Sequence, residues 1–354
     1  MLCCHVVPQI LPVSHLLLYR SAGKNMAGFV VPLKKCFTLS AHTIIFMLNR
    51  RKLIKLTGAA AFTAFMPSFI QAGPRHASGT FRFCLNTSTI RGQNLGLLKS
   101  LEIASAAGYD GVELWVNDIR DYLKQANKVE TLSKIIADRG LTVENAISFT
   151  PWMVNDAAKR KAGLLELEEE MKIMAALGCR RIAAPPSGVG KNEPVDFRKA
   201  GIYYREVLEL GRKHKVMPQL EFWGASGTLY SLGQALAIAA AANDPDARIL
   251  PDVYHLFRGG SGFNGLKLVN GKAIEIIHMN DYPGNKPVNE QTDGDRVYPG
   301  DGVAPVKQVL QDLRAMGGTK VLSLELFNET YWAQDPLVVA KTGLQKMKAL
   351  VNAL

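Results

Sequence analysis

Apolar, β-branched runs alternate with segments of helical periodicity throughout residues 80–354, and this alternation repeats eight times. Gly108, Gly140 and Gly178 each follow a helical segment, as is typical of a helix C-terminus. Eight strand–helix units in roughly 280 residues match the size of a (β/α)8 barrel. We therefore predict a single α/β domain with the (β/α)8, or TIM-barrel, fold.

The boundaries of the predicted elements follow from these runs. The strands cover 81–87, 111–116, 142–149, 181–185, 217–222, 249–254, 274–280 and 321–327. The helices cover 94–107, 119–139, 157–177, 197–214, 232–243, a short segment near Leu266, 305–316 and 336–354. Near-continuous apolar strands favour a parallel sheet that is covered on both faces. A doubly wound sheet would normally carry a glycine fingerprint after its first strand, and residues 86–89, Asn-Thr-Ser-Thr, do not form one.

The N-terminal segment carries most of the excess positive charge. The formal net charge is +11, but residues 1–72 contain eight basic side chains and no acidic one. Without that segment, 34 basic residues face 31 acidic ones. The remaining chain therefore gives no support for nucleic-acid binding.

Residues 47–72 have the pattern of an export signal. Arg50 and Arg51 precede an apolar run from 56 to 70, and Ala72 offers a small residue for cleavage. The run is too short and too rich in glycine and alanine for a stable membrane anchor. The paired arginines resemble a twin-arginine signal, which implies transport of the folded protein to the periplasm by the twin-arginine export machinery.

The segment that precedes this signal shows no sustained periodicity. We interpret residues 1–46 as an unstructured extension or as the product of a misassigned start codon. The predicted catalytic domain then covers 80–354.

Four residues that can bind a divalent metal end apolar runs in the second half of the chain. They are Glu221, Asp252, His278 and Glu325, spaced by 31, 26 and 47 positions. A strand with its crossover helix takes about 30 residues or more, so this is the spacing of successive parallel strands whose ends converge. Unrelated ion pairs are the alternative, but burial of four such groups would be costly without compensation. We predict one divalent ion, with Mn²⁺ favoured and Mg²⁺, Co²⁺ or Zn²⁺ compatible.

Several motifs resemble those of the xylose-isomerase-like family of sugar isomerases and epimerases, whose relatives include hydroxypyruvate isomerase and ketose 3-epimerases. The matching segments run in order through nearly the whole predicted barrel: Gly-Val-Glu-Leu at 111–114, Leu-Glu at 220–221, Asp-Val-Tyr-His at 252–255, His-Met-Asn-Asp at 278–281, Arg-Val-Tyr-Pro-Gly-Asp-Gly at 296–302 and Leu-Glu at 324–325. The resemblance implies that the metal ligands are Glu221, Asp252, His278 and Glu325.

The reaction that the resemblance implies is a sugar isomerisation or epimerisation. A proton next to a carbonyl is removed through an enediolate that the divalent metal stabilises. Glu221 and Glu325, on opposite sides of the sugar, take the proton and return it as the catalytic residues. An exported enzyme meets few sugar phosphates, so we expect an unphosphorylated sugar or keto-sugar as the substrate. Barrels of this kind often form homo-oligomers.

Five further residues are expected to contact the sugar or to support the site. His255 matches a family histidine that contacts substrate oxygens, and Arg296 matches a loop arginine that hydrogen-bonds the sugar. Glu113 ends the second strand and either binds substrate or orients its neighbours. Trp115 and Trp223 directly follow strands, and an indole face packs well against the C–H face of a sugar.

Three functions other than isomerisation are alternatives for a chain with this sequence pattern. The same site could perform β-elimination on an oxidised sugar, as a lyase or dehydratase does. A non-catalytic sugar-binding barrel would not need the intact four-ligand set. An endonuclease-IV-like phosphodiesterase needs several zinc ions held largely by histidines, whereas residues 73–354 contain four histidines and no basic groove. Ketose epimerases also carry a second glutamate shortly after the residue that matches Glu221, and residues 224–227, Gly-Ala-Ser-Gly, differ from that pattern.

Overall fold

Eight parallel strands form a ring that the helices surround. A computed structural model describes residues 81–190 and 193–354. The strands are β1 (Phe81–Asn86), β2 (Gly111–Trp115), β3 (Thr142–Ile147), β4 (Arg181–Ala184), β5 (Met217–Glu221), β6 (Ile249–Leu250), β7 (Ile276–Met279) and β8 (Lys320–Leu324). The predicted extension, 1–46, and export signal, 47–72, lie outside the described residues.

The helices follow the strands along the chain. They are α1 (Gly96–Ala107), α2 (Val116–Lys124), α3 (Val129–Asp138), α4 (Ala157–Ala176), α5 (Phe197–His214), α6 (Leu232–Ala242), α7 (Val253–Arg258), α8 (Val306–Ala315), α9 (Glu329–Trp332) and α10 (Pro336–Asn352). Short 3₁₀ segments lie at Thr87–Gln93, Asn264–Leu268, Gly271–Ala273 and Asp293–Asp295. Within the described ranges, no helix has the length and hydropathy needed to cross a lipid bilayer.

The ring closes at two of the four residues that are expected to bind metal. The strand order is β6-β5-β4-β3-β2-β1-β8-β7, with parallel pairing throughout. A single parallel bridge between Asp252 and His278 joins the two edge strands. The backbone N–H of His278 donates to the carbonyl oxygen of Pro251 at 3.0 Å. The predicted (β/α)8 barrel is confirmed.

One predicted helix is two helices. The sequence pattern indicated a continuous helix over 119–139, but the chain leaves α2 after Lys124 and begins α3 at Val129. Asn127 Nδ2 donates to the carbonyl oxygen of Tyr122 at 2.9 Å, which occupies an acceptor that a continuing helix would need.

The sixth strand is also shorter than the predicted range 249–254. Asp252 is the N-cap of α7, and its Oδ1 accepts a hydrogen bond from the backbone N–H of His255 at 2.8 Å. Capping starts the helix directly after the strand. Asp252 and His255 are therefore presented by a strand-to-helix corner.

The barrel interior is layered. Alternate residues of each strand point inward, and a small apolar cluster inside the ring contains Cys84, Ile147, Ala183, Leu250, Ile276 and Val321. The much larger apolar core lies between the sheet and the helices. The apolar layer separates the polar C-terminal end of the barrel from its N-terminal end.

Ion pairs close the N-terminal end. Glu144 lies 2.7 Å from Arg82 and 3.2 Å from Arg181. Glu275 lies 2.9 Å from Arg181 and 3.1 Å from Arg248. These five residues lie in or directly before five different strands, β1, β3, β4, β6 and β7, and together they leave the C-terminal end as the open face.

Glu170 is a buried carboxylate beside Ser148, the residue that follows β3. It lies on α4 and is 2% exposed. Ser148 Oγ donates to its Oε2 at 2.5 Å, and Arg120 Nη2 lies 3.0 Å from its Oε1. Burial raises the pKa of Glu170 to about 7, only partly offset by these two donors.

Replacement of Glu170 by Gln should remove a pH dependence of stability. The folded protein holds this proton more tightly than the unfolded chain, so the free energy of unfolding falls as pH rises from about 4.5 to about 7. Urea unfolding at pH 4.5 and pH 8 should show that Glu170→Gln gains stability relative to wild type at the higher pH, by at most about 3 kcal/mol. Glu166→Gln, which alters an exposed neighbour that also pairs with Arg120, is the control. An equal difference at both pH values would contradict this account.

Candidate metal and substrate site

The four residues expected to bind metal meet at the C-terminal end of the barrel. Glu221 is the last residue of β5, and Asp252 follows β6. His278 lies in β7, and Glu325 follows β8. His278 Nδ1 lies 3.1 Å from Glu325 Oε2 and 3.5 Å from both Glu221 Oε1 and Asp252 Oδ2. Parallel strands end at one face of a barrel, so the structure brings all four side chains together.

His278 Nδ1 has the surroundings of a metal ligand. It is buried and makes no hydrogen bond with the described residues. Ligand atoms of Asp252, His278 and Glu325 lie within 4.8 Å of one another. An unpaired nitrogen buried among carboxylates is costly unless a cation lies between them. The residues therefore fit a divalent ion, and their oxygen-rich donor set suits Mn²⁺, Mg²⁺, Co²⁺ or Zn²⁺.

Three hydrogen bonds hold Asp252 as an anion. Its Oδ1 accepts from the backbone N–H of His255 at 2.8 Å. Its Oδ2 accepts from Asn280 Nδ2 and Arg296 Nη1, both at 3.0 Å. Burial opposes ionisation, but the charge of Arg296 outweighs it, and the pKa of Asp252 is lowered.

Arg296 is 1% exposed, and its guanidinium is fully engaged. Nη1 donates to Asp252 Oδ2 at 3.0 Å and to Glu325 Oε2 at 2.7 Å. Nη2 donates to Asp293 Oδ1 at 2.5 Å and lies 3.2 Å from His255 Nε2. Because a guanidinium can only donate, His255 Nε2 accepts and the imidazole proton lies on Nδ1. Burial lowers the pKa of His255, and Arg296 adds to this effect against the charge of Asp252.

Asp281 anchors the loop that carries Arg296. Its buried carboxylate accepts hydrogen bonds of 2.8 to 3.0 Å from the backbone N–H groups of Tyr282, Gly300 and Ala304. Residue 302 must be glycine, because a Cβ there would lie 2.3 Å from Asp281 Oδ1 and 2.2 Å from the carbonyl oxygen of Tyr282. The part of the loop that follows Arg296 is therefore tied back to the end of β7.

The two carboxylates expected to move protons have different surroundings. Glu325 accepts on both oxygens, from Asn86 Nδ2 at 3.0 Å and from Arg296 Nη1 at 2.7 Å. Burial raises the pKa of Glu221 to about 8, and the carboxylate of Glu325 adds to the rise against the opposing charge of His278. Glu221 can therefore hold a proton near neutral pH, whereas Glu325 has both oxygens occupied by donors.

A cavity of about 500 Å³ opens above these carboxylates. One side is aromatic: the ring centroids of Trp115 and Phe149 are 5.1 Å apart, and those of Phe149 and Trp223 are 6.2 Å apart. The predicted residues that line the cavity are Trp115, Glu221, Trp223, His255, Arg296 and Glu325. A larger groove of about 970 Å³ between α1 and helices α2 and α3 contains none of them.

Glu113 does not line this cavity. It is fully buried, and its Oε1 lies 3.0 Å from His278 Nε2, on the side of the imidazole opposite to the three other carboxylates. Two roles were open for Glu113, substrate contact or orientation of its neighbours. Its position on the far side of the His278 imidazole permits the second role, orientation of a neighbouring side chain.

Several residues of the site were not singled out from the sequence. They are Asn86, Phe149, Asn280, Asp293, Ser323 and Phe327. Asn86 is the last residue of β1 and Asn280 directly follows β7, so the strand-end rule that found the metal residues could have found both. Asp293 had no comparable signal, because only the loop conformation brings it to Arg296.

Comparison with known proteins supports the resemblance predicted from the motifs. A family model described as xylose isomerase-like TIM barrel matches residues 101–350. An inosose isomerase of Bacillus velezensis is 26% identical over 77% of this chain and 97% of its own length. A 3-dehydroshikimate dehydratase of Pseudomonas putida is 25% identical over 71% of this chain and 39% of its own length. A crystal structure of the IolI protein with a bound zinc atom has a TM-score of 0.70 at 23% identity, covering 77% of this chain and 98% of that one; it shows the same fold.

Chelator-treated protein should take up one Mn²⁺ or Zn²⁺ per chain, with a rise in the thermal unfolding midpoint. The expected stabilisation is about 2.7 kcal/mol at a free-ion concentration one hundred times the Kd. Asp252→Asn should lose most of this shift, because it removes a charged ligand. Asp121→Asn, an exposed helix position, should keep it. Several zinc ions per chain, or an unchanged shift in Asp252→Asn, would contradict the single-ion site.

Metal uptake should also weaken on acidification. The proton that Glu221 holds with a pKa of about 8 must leave before its carboxylate binds an ion. The apparent affinity should therefore fall by roughly tenfold for each pH unit below 8. Isothermal titration in buffers of different ionisation enthalpy measures the released protons directly, and an affinity independent of pH would show that Glu221 is not a ligand.

Proposed function

Because the chain belongs to the xylose isomerase-like TIM-barrel family, we propose that it is a divalent-metal-dependent isomerase of an uncharged polyhydroxy ketone, such as a keto-sugar or an inosose. One observation carries the proposal: His278 Nδ1 is buried and unpaired, and faces three carboxylates, two of which line an aromatic-walled cavity. Similarity to inosose isomerases supports an isomerase or epimerase reaction.

The proposed metal ligands are Glu221, Asp252, His278 through Nδ1, and Glu325. A divalent ion supplies positive charge beside the substrate oxygens, which makes a proton on the adjacent carbon more acidic. Both Mn²⁺ and Zn²⁺ suit this donor set. The zinc atom of the IolI crystal structure supports a divalent ion in this barrel type.

Proton transfer is assigned to two cavity-lining carboxylates with different surroundings. Glu325 is the proposed acceptor, because hydrogen bonds from Asn86 and Arg296 orient both of its oxygens. Glu221 is the proposed partner that returns a proton, because it lines the same cavity from the end of β5, whereas Glu325 follows β8. Return to the same carbon from the other side inverts that centre, and return to the neighbouring carbon moves the carbonyl.

The charge of the cavity favours a neutral substrate. The Arg296 guanidinium already donates to Asp252, Asp293 and Glu325. Among the described residues that line the cavity, there is no other lysine or arginine. Apart from the proposed metal ion, a phosphate or carboxylate would therefore find no cation that is free of acidic partners, and it would face the carboxylates of the site. The aromatic side, formed by Trp115 and Trp223 with the rings between them, suits the C–H face of a polyol.

A dehydratase is the second candidate, because the similarity to a 3-dehydroshikimate dehydratase supports it. Loss of a hydroxyl group from the carbon next to the deprotonated one would use the same carboxylates. The two reactions are distinguished in D₂O. An isomerase incorporates deuterium into a neutral ketose or inosose without loss of water, whereas a dehydratase converts 3-dehydroshikimate to a product that lacks one water.

Glu325→Gln should reduce turnover by roughly 10²- to 10⁴-fold at saturating metal, because an amide cannot accept the substrate proton. Deuterium exchange into a panel of neutral ketoses and inososes, followed by NMR, measures this loss. Glu329→Gln, an exposed position on α9, should keep the wild-type rate. Sugar binding without any exchange in the wild-type protein would indicate a binding module instead.

We also propose that residues 47–72 direct export and that the enzyme acts in the periplasm. Replacement of Arg50 and Arg51 by lysine keeps the charge but removes the paired arginines. This variant should stay in the cytoplasm, whereas wild type should be found in the periplasm, cleaved near Ala72. Arg20→Lys serves as the control, and an equal distribution of all three proteins would refute the signal.

A further inference from the structure

His278 lies between two acidic groups, with a different role for each imidazole nitrogen. Nε2 is 3.0 Å from Glu113 Oε1, whereas Nδ1 faces Glu221, Asp252 and Glu325 at 3.1 to 3.5 Å. Both His278 and Glu113 are 0% exposed. A neutral imidazole carries one proton, so its location decides which nitrogen has the free lone pair that a metal needs.

The partners of Glu113 determine where that proton lies. Its Oε1 accepts from Asn145 Nδ2 at 2.7 Å, and its Oε2 accepts from Asn86 Nδ2 at 2.9 Å and from Ser323 Oγ at 2.5 Å. With His278 Nε2, four polar groups converge on this one carboxylate. Only an ionised carboxylate offers acceptor sites for all four. A protonated acid or an amide would direct a hydrogen at one of them.

The orientation of the Asn86 amide is fixed independently. Trp115 Nε1, which can only donate, lies 3.0 Å from Asn86 Oδ1, and the backbone N–H of Ser88 donates to the same oxygen at 2.9 Å. The Asn86 NH₂ group therefore faces Glu113 Oε2 and Glu325 Oε1, at 2.9 and 3.0 Å. This amide orients both carboxylates and leaves Glu113 Oε1 toward the imidazole.

We propose that Glu113 is a positioning residue that holds His278 with its proton on Nε2, so that the lone pair of Nδ1 points at the metal. This proposal rests on the metal site of the proposed function. Glu113 does not line the cavity, and its direct contact with the proposed ligands is the imidazole of His278. A carboxylate on the far side of a ligating histidine fixes the tautomer and raises the basicity of the ligand nitrogen.

The proposal is tested on the full chain with Zn²⁺ as a diamagnetic probe. In wild-type protein labelled with ¹⁵N-histidine, His278 should show a proton on Nε2 and none on Nδ1, with its signals assigned by single replacement of each of the six other histidines. Glu113→Gln should bind Zn²⁺ roughly 10- to 100-fold more weakly. Glu144→Gln, which makes the same change at a buried carboxylate of the opposite, N-terminal end of the barrel, should bind Zn²⁺ close to the wild-type affinity.

The tautomer of His278 and the Zn²⁺ affinities of the variants test the positioning role separately. A zinc-loaded wild-type protein with the His278 proton on Nδ1 overturns the proposal, and this measurement holds even if Glu113→Gln does not fold. A folded Glu113→Gln with wild-type Zn²⁺ affinity and an unchanged tautomer overturns it as well, while the metal site of the proposed function stands. If wild type binds no Zn²⁺, both the metal site and the positioning role are refuted. Equal weakening in Glu144→Gln and Glu113→Gln would assign the loss to general disturbance of the core and overturn the positioning role.

Discussion

Mutual repulsion among buried carboxylates is the constraint that the C-terminal end of this barrel must satisfy. Glu113, Glu221, Asp252 and Glu325 all lie within contact of one imidazole, and none is more than 5% exposed. Like charges in a low-dielectric interior are destabilising unless cations and hydrogen-bond donors compensate them. Two kinds of group compensate these negative charges. They are the guanidinium of Arg296 and amide donors that include Asn86, Asn145 and Asn280. A divalent ion would supply the rest of the positive charge.

The scaffold holds these groups in place from several directions. The barrel ring closes at the bridge between Asp252 and His278, so the geometry of the site and the closure of the sheet depend on the same residues. Asp281 ties down the loop that delivers Arg296. Below the site, an apolar layer and then a set of ion pairs fill the ring. Groups supported in this way keep the positions that proton transfer requires.

The carboxylates of Glu221 and Glu325 have different surroundings within the site. Glu325 accepts from Asn86 and Arg296, whereas burial raises the pKa of Glu221 to about 8. Two carboxylates whose surroundings differ so strongly are suited to opposite halves of a proton transfer. The indole of Trp115 also donates to Asn86, so one wall of the cavity is linked to the carboxylate that we assign as proton acceptor.

Much of the architecture could be predicted from the sequence because it depends on local periodicity and on chain order. Eight strand–helix units imply the barrel, and parallel strands must end at one face, so the side chains of Glu221, Asp252, His278 and Glu325 had to approach one another. The break between α2 and α3 was missed, because a side chain to backbone hydrogen bond from Asn127 ends the helix within an otherwise periodic segment.

Only the tertiary structure decided the partners of these groups. Glu113 and His278 are 165 positions apart, and Asn86 and Glu325 are 239 apart, so no local pattern indicates either contact. The same holds for the contacts of Arg296 with Asp252 and Glu325, which are 44 and 29 positions away. The sequence by itself determined which residue types gather at the open face of the barrel. The packing of distant strands and loops determined their charge, their tautomer and their orientation, because these properties depend on distances of a few ångströms between residues far apart in the chain.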